Sequence, residues 1–311
     1  MPIDKNKQFP VECLNESIID VINNTNDFIS SIKDECMYNG LSPFILYKRD
    51  NHNFNDSGEI KTTDNKNYIS IGVGYCQYLW AVGLYLTYYF DNYIQPRNNG
   101  NKIDIDEQEK EFVVSTFKNA IDMVNSNTYN TNIFWNTPNI LENDGFAKNI
   151  GIANGLYCGA IAFIIAHEVS HHYLGHLEND EYDENVLKKE EIDADNLAIN
   201  FLLNYKEWKD NFRVGICSVF ASLLLINSES VNGDKSHPDL DCRIKNFIEE
   251  LDLAESDIIW GYMGCAIYLW LHNYTNYKGD GESESCVHLL TYKEFFYYYL
   301  NKLTEYKNAF M

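Results

Sequence analysis

The chain has 311 residues, which is long enough for one large domain or two modest ones with a substantial core. Its hydrophobic content of 45% is typical of a globular protein rather than a disordered one. With 46 acidic against 24 basic residues the net charge is −22, and such a surface repels phosphate backbones and anionic headgroups, so nucleic acid and membranes are poor candidates as partners.

Two features predict a cytoplasmic protein without a membrane anchor. The first residues lack the apolar segment of a secretory signal, and the apolar run from Tyr75 to Phe90 is short, rich in Tyr and interrupted by Gln77. The eight cysteines lie far apart without a C-x-x-C pair, which predicts reduced thiols rather than a disulfide framework.

Helical periodicity is the dominant pattern along the chain. A helix is predicted over 11–38, and FILYK (44–48) predicts a short strand that a polar loop or hairpin follows. Residues 125–158 are rich in Asn and Gly and show little periodicity, and KNIGIANG (148–155) predicts a short strand within them. The other predicted helices are 75–93, 105–124, 159–177, 186–205, 212–228, 239–251, 257–272 and 291–307.

The fold class expected from these elements is mostly α with a small β element (α+β). Residues 1–145 are predicted to form a mainly helical N-terminal region that recognises a substrate or partner. Residues 146–311 would contain the functional core and the C-terminal helices. No linker separates the two parts, so one continuous globular unit is expected.

The segment HEVSH (167–171) matches the pattern H-E-x-x-H. Positions i and i+4 share one face of a helix, so His167 and His171 can present imidazole nitrogens to one tetrahedral Zn²⁺. Glu168 lies about 100° further round the helix, where its carboxylate can take a proton from an attacking water. An accidental match on a histidine-rich surface helix is the alternative, and the apolar turns that precede the motif argue against it.

The neighbouring histidines do not supply the third ligand that a catalytic zinc needs. The extended pattern H-E-x-x-H-x-x-G-x-x-H fails, because Leu174 and Leu177 occupy its last two fixed positions. His176 is about 180° round a continuous helix from His167 and is predicted to face away, as is His172.

The third ligand is predicted on a second helix, at Glu191. The polar stretch before this helix can turn the chain, so that two antiparallel helices bring Glu191 against His167 and His171. Asp195, one turn later, would accept the second ring N–H of a ligand histidine. A solvated acidic helix is the alternative. That interpretation is preferred for the other nearby carboxylates, which are Asp183, Glu190 and Asp193.

H-E-x-x-H followed by E-x-x-x-D resembles the gluzincin metallopeptidases, and EIDADNLA resembles the E-x-x-A-D segment of the group that contains HtpX and the CAAX prenyl proteases. SHPDLDCRI (236–244) resembles the His-Pro…Arg element of that group. The resemblance implies one Zn²⁺ ion, an oxyanion-stabilising role for His237 and an orienting role for Arg243. A plain helix start, capped by Asp239 or Ser236, is the alternative for this segment.

Since no membrane span is predicted, the chain looks most like the Lit-type phage-exclusion peptidases, with the likeness covering residues 159–250. This implies a zincin-like helical core and a zinc endopeptidase that cleaves a protein substrate, elongation factor Tu, when a phage-derived trigger is present. A short extended segment near Ile150 to Gly155 is expected to pair with the substrate. The alternative function is a non-catalytic, metal-stabilised binding or regulatory protein, which would not need Glu168.

Overall fold

The structure, a computed structural model, describes residues 11, 14, 16–18, 48–50, 57–63, 66–99, 105–126, 147–176, 183–206, 208–275 and 291–310. The principal helices in these ranges are α1 (Val73–Tyr89), α2 (Glu107–Ser126), α3 (Ala147–Tyr173), α4 (Glu184–Leu203), α5 (Lys209–Leu224), α6 (Leu240–Glu250), α7 (Ile258–Tyr274) and α8 (Tyr292–Phe310). The strands are β1 (Lys48–Asp50), β2 (Glu59–Thr63) and β3 (Lys66–Gly72). The prediction of a mostly α fold with a small β element is confirmed.

The three strands form one small sheet in the order β1-β3-β2. The central strand β3 pairs in parallel with β1 and antiparallel with β2, with Glu59 opposite Ser70. Ile69 and Ile71 of β3 are buried in the core. The polar stretch after residue 48 therefore does contain a hairpin, but the strand β3 itself was not predicted, and of the predicted strand 44–48 only its last residue lies among the described ones. Within the described sheet β2 is an outer strand.

Helix α1 follows β3 directly and is buried on all sides from Val73 to Tyr88. The apolar run from Tyr75 to Phe90 therefore belongs to a helix that is enclosed in the protein core. A π-helical turn, Phe90–Ile94, and a single α-turn, Gln95–Asn98, extend it. Most side chains of α1 are therefore enclosed in the core, and among the described residues the parts of the N-terminal region that line the candidate site are Tyr75 of α1 and residues 57–60 around the start of β2.

Helix α3 packs against α1, α4 and α5 and is the central helix of the fold. Among the described residues it is the helix long and apolar enough to cross a bilayer, over Lys148–Tyr173, but 78% of its apolar window is buried inside the protein. This burial accounts for its composition, because a helix that is enclosed by other helices is apolar all round.

The predicted strand at 148–155 is wrong, since α3 begins at Ala147. Asn and Gly weaken helix propensity, but tertiary packing overrides it here. Ile150 and Ala153 are fully buried, and the side-chain carbonyl of Asn154 accepts a 2.8 Å hydrogen bond from the indole of Trp80 on α1. Residues Ile150 to Gly155 were expected to pair with the substrate as an extended segment. This role is excluded as well, because a helix has no free strand edge.

The remaining helices agree with the predicted ones to within four residues at each end, apart from the start of α3. Of the predicted helix 11–38, only residues 11, 14 and 16–18 lie in the described part, and Val11, Leu14 and Ile18 are buried there. No disulfide joins the five described cysteines to one another, and four of them are buried, as expected for reduced thiols. The terminal helix α8 is tied to the start of α6, because the Lys307 ammonium donates to Asp239 at 2.8 Å and to Asp241 at 2.7 Å.

Candidate metal centre

Helix α3 and helix α4 bring three donor side chains together at the end of α3. The Nε2 atoms of His167 and His171 are 3.1 Å apart. Glu191 of α4 faces both, with Oε2 at 3.5 Å from His167 Nε2 and Oε1 at 3.2 Å from His171 Nε2. The sequence-predicted ligand set therefore converges on one point, and Glu191, rather than Glu190 or Asp195, is the carboxylate between the two histidines.

The spacing of these donor atoms fits a zinc ion. Nitrogen and oxygen ligands that lie about 2.0–2.1 Å from a tetrahedral centre are about 3.3 Å from one another. The three observed separations of 3.1, 3.2 and 3.5 Å scatter around that value. Two imidazoles and one carboxylate are also the ligand set of catalytic zinc sites, in which the fourth position stays open for water or substrate.

Asp195 lies behind His167, on the side away from the converging nitrogens. Its Oδ1 is 3.0 Å from His167 Nδ1, although the ring N–H is not well aligned with that oxygen, so the contact is electrostatic rather than a linear hydrogen bond. Arg243 of α6 holds the same carboxylate from the other side with two parallel hydrogen bonds of 2.8 Å. Arg243 therefore contacts the cluster through this bidentate pair with Asp195, and its guanidinium also lies 3.7 Å from Glu191 Oε2.

Charge compensation within this buried cluster is strong. Burial by itself would raise the pKa of Glu191, but its contacts with His167 and His171 hold the pKa well below its usual value. Burial would likewise lower the pKa of His167, but Asp195 and Glu191 raise it to about 10 in the metal-free chain. For Asp195, the charge of Arg243 outweighs the effect of burial and lowers the pKa. The carboxylates are thus held ionised, which is the state that binds a metal cation.

Replacement of Asp195 by Asn should weaken zinc binding roughly 10- to 100-fold, since the amide keeps the shape of the carboxylate but not the charge that supports His167. Competition with a chromophoric chelator measures the affinity. Asp195→Ala is a poorer test, because it would remove every acceptor that Asp195 offers to the buried Arg243. Zinc affinity in Asp195→Asn equal to that of the wild type would show that Asp195 is not a support of the metal site.

Glu168 lines a cavity of about 410 Å³ together with the ligand residues and the start of β2. Gly58 lies directly against it: a Cβ added to Gly58 would be 3.4 Å from Glu168 Oε1 and 2.7 Å from Ile164 Cγ2. The φ angle of Gly58 is +142°, a value that side chains strongly disfavour. The chain just before the outer strand β2 can approach Glu168 this closely only because position 58 is a glycine.

His237 lies at the mouth of the same cavity, half-exposed, with Nε2 at 3.9 Å from Glu191 Oε1. Its other ring nitrogen, Nδ1, is 3.0 and 3.1 Å from the two carboxylate oxygens of Asp234. Asp234 also accepts the backbone N–H groups of Ser236 and His237, at 2.8 and 2.7 Å. An N–H group at Nδ1 thus donates to the Asp234 carboxylate, and Nε2 points toward the cavity. The helix start that was the alternative for this segment is present, since α6 begins at Leu240 with Asp239 at its N-cap position, but Asp239 makes no side-chain capping bond.

Three residues of the site were missed in the sequence analysis: Gly58, His176 and Asp234. The prediction that His176 faces away from the site is wrong, since its Nδ1 is 3.0 Å from Nδ1 of His171. Glu190, predicted to be solvated, is partly buried and lines the cavity, whereas Asp183 is exposed and caps α4 through the N–H of Asn185. Of the three missed residues, only Asp234 belongs to a local sequence pattern, an Asp three residues before a His in a turn.

Comparison with known families identifies a peptidase family. The family model Peptidase U49 matches residues 69–263. This segment is more than half of the chain, and it contains α1 to α6 with all the sequence-predicted site residues. Neither the curated proteins nor the solved structures gave a match. The chain belongs to the Peptidase U49 family, and it is a peptidase by that membership.

Proposed function

We propose that this peptidase is a zinc-dependent metalloendopeptidase. The observation that carries the proposal is the spacing of His167 Nε2, His171 Nε2 and the Glu191 carboxylate, which fits the edges of a zinc tetrahedron. These three residues would hold the ion, and Asp195 with Arg243 would fix the orientation of His167. Once bound, the ion would supply Lewis-acid chemistry, polarising the peptide carbonyl and making water more acidic.

Glu168 is the group that moves the proton in this proposal. Its carboxylate follows His167 in the chain and faces the same cavity. It would take a proton from the attacking water and return that proton to the leaving amine, as a general base and then a general acid. The closeness of Gly58 restricts where the carboxylate can lie and limits water on that side.

His237 is assigned to the negative charge that develops on the carbonyl oxygen. A donor stabilises a transition state best when its position is fixed before the reaction. In this role the ring is an imidazolium with a proton on each nitrogen: Nδ1–H donates to Asp234, which fixes the ring, and Nε2–H is the donor toward the cavity. This assignment uses both ring nitrogens of His237.

The outer strand β2 is assigned to substrate binding. Glu59 and Ile60 of this strand border the cavity together with Ser57 and Gly58, which precede it, and β2 is paired with β3. An outer strand of a sheet can bind an extended peptide by main-chain hydrogen bonds. The peptide would then run past Glu168, which places a backbone carbonyl rather than a side chain next to the catalytic groups.

Substitution of Gly58 by Ala should lower kcat/KM at least about tenfold while zinc affinity stays unchanged. The added methyl would lie 2.7 Å from Ile164 Cγ2 at a φ of +142°, a strain of about 1–3 kcal/mol that is relieved by moving β2 away from Glu168. Gly155→Ala is the control, because nothing lies within 4 Å of a Cβ at that exposed position of α3. Equal kinetics for Gly58→Ala and Gly155→Ala would contradict the assignment of β2.

For the substrate, we propose elongation factor Tu in the bacterial cytoplasm, with a phage-derived trigger, in keeping with a role in phage exclusion. The proposal is supported by the resemblance of HEVSH, EIDAD and SHP…R to the Lit-type peptidases and by the membership in a peptidase family. The net charge of −22 would favour basic surfaces on the partners, an attraction that weakens with salt.

The test begins with the metal content of the purified protein, for which we expect one zinc per chain. The protein is then incubated with elongation factor Tu, with and without a phage-infected lysate, and new N-termini are mapped. Cleavage that requires the lysate and stops with a chelator is the expected result. Cleavage of unstructured casein without the trigger would contradict the phage-exclusion role and indicate a general zinc peptidase instead. A protein that is active without metal would overturn the zinc assignment.

A further inference from the structure

The most informative contact that the proposed mechanism leaves unused is the one between two histidines at the end of α3. Nδ1 of His171 and Nδ1 of His176 are 3.0 Å apart, and the two rings meet nearly edge to face at an interplanar angle of 70°. His171 uses its other nitrogen, Nε2, to face His167 and Glu191. His176 therefore contacts the ring nitrogen of His171 that would not bind the metal.

We propose that His176 is a positioning residue of the metal centre, whose Nδ1 accepts a hydrogen bond from Nδ1–H of His171. This inference rests on the proposed metal-dependent function and adds a residue to it. Each of the two proposed ligand histidines then has one supporting residue at its other ring nitrogen, Asp195 for His167 and His176 for His171. Such partners fix the tautomer and the ring orientation of a metal-binding histidine.

The assignment of donor and acceptor follows from the chemistry of the imidazole ring. A neutral His171 that offers the lone pair of Nε2 to a metal must carry its proton on Nδ1. The Nδ1–Nδ1 hydrogen bond then requires a lone pair on Nδ1 of His176, so that His176 carries its own proton on Nε2. The pair has one consistent arrangement of protons, and that arrangement presents His171 to the metal.

The backbone after α3 explains why His176 reaches this position. The helix ends at Tyr173, and Gly175 has a φ of +75°, a left-handed conformation in which its N–H bonds to the carbonyl of His172 at 3.1 Å. This reversal brings residue 176 back toward His171. In a continuous helix it would point about 180° away from His167. No atom lies within 4 Å of a Cβ at Gly175, so the glycine is needed for its φ angle and not for space.

The experiment compares zinc affinity in four proteins: wild type, His176→Ala, His176→Asn and His272→Ala. We expect His176→Ala to bind zinc about 10- to 100-fold more weakly. Asn should restore most of the affinity, because its Oδ1 is an acceptor on the same γ-carbon as Nδ1 of histidine. His272 is exposed on α7 and is not part of the cavity lining, so His272→Ala should bind as the wild type does.

A spectroscopic measurement separates positioning from general destabilisation. In protein labelled with ¹⁵N at histidine and loaded with zinc, His171 should show a protonated Nδ1 whose proton is hydrogen-bonded in the wild type and in His176→Asn but not in His176→Ala. Gly175→Asn, which tolerates the left-handed conformation, should keep this signal, and Gly175→Val should lose it.

The outcomes are distinct from those that test the proposed function. Unchanged zinc affinity in His176→Ala, or failure of Asn to restore it, overturns the role of His176 while the zinc peptidase stands. Loss of zinc binding beyond about 1,000-fold in His176→Ala would make His176 a ligand and also overturn positioning. A wild-type protein that binds no zinc overturns the proposed function together with this inference.

Discussion

Glu168→Gln is expected to abolish peptide cleavage while the protein still binds one zinc per chain. The amide has nearly the shape of the carboxylate but cannot accept and return a proton, and general acid–base catalysis typically contributes roughly 10²- to 10⁴-fold to a rate. The ligand atoms belong to His167, His171 and Glu191, so the metal should remain. The measurement combines turnover of a substrate found by N-terminal mapping with metal analysis of the same preparation.

The matched control is Glu190→Gln, the same chemical change at another carboxylate that lines the cavity. It should leave turnover within a few-fold of the wild type, because Glu190 has no part in the proposed proton transfer. A metal-stabilised scaffold without catalysis would be indifferent to both substitutions. Turnover retained in Glu168→Gln, or lost equally in both variants, would remove Glu168 from its proposed role.

The parts of this site that the sequence predicted are those that a local pattern determines. His167 and His171 share a helix face because four residues complete about one turn, and this holds wherever the helix lies in the fold. Glu191 required one further step, the antiparallel packing of α3 and α4, which a polar connection of suitable length makes probable for any helical hairpin. The residue types, two histidines and a glutamate, then favoured zinc as the proposed ion.

The parts that the sequence missed depend on long-range packing or on one backbone angle. The start of α3 was not predicted, because Asn and Gly lower the helix propensity of this segment. In the fold, contacts with α1 stabilise the helix there. The position of His176 follows from the left-handed conformation of Gly175, and a periodicity argument assumes that the helix continues. The contact of Gly58 with Glu168 joins a strand and a helix more than a hundred residues apart, and no local pattern encodes it.

Arg243→Met is expected to have the largest effect on stability among the residues of the site. Both partners of the Arg243–Asp195 pair are buried, with side chains that are 9% and 6% exposed, and the two 2.8 Å hydrogen bonds satisfy the carboxylate. Methionine fills similar space but leaves Asp195 as a buried charge whose remaining close partner is His167. Removing one partner of such a pair typically costs about 3–5 kcal/mol.

Urea unfolding of the metal-free proteins measures this cost, and Lys245→Met on the same helix is the control. Lys245 is 52% exposed and its ion pair with Glu249 is long, at 3.9 Å, so the substitution should change the free energy of unfolding by less than about 1 kcal/mol. The double variant Asp195→Asn with Arg243→Met removes both charges and should be less destabilised than the sum of the single variants. Additive effects, or an Arg243→Met variant as stable as Lys245→Met, would contradict the pairing. The expected non-additivity would show that Arg243 and Asp195 act as one buried charge pair that joins α6 to α4, the helix that carries Glu191.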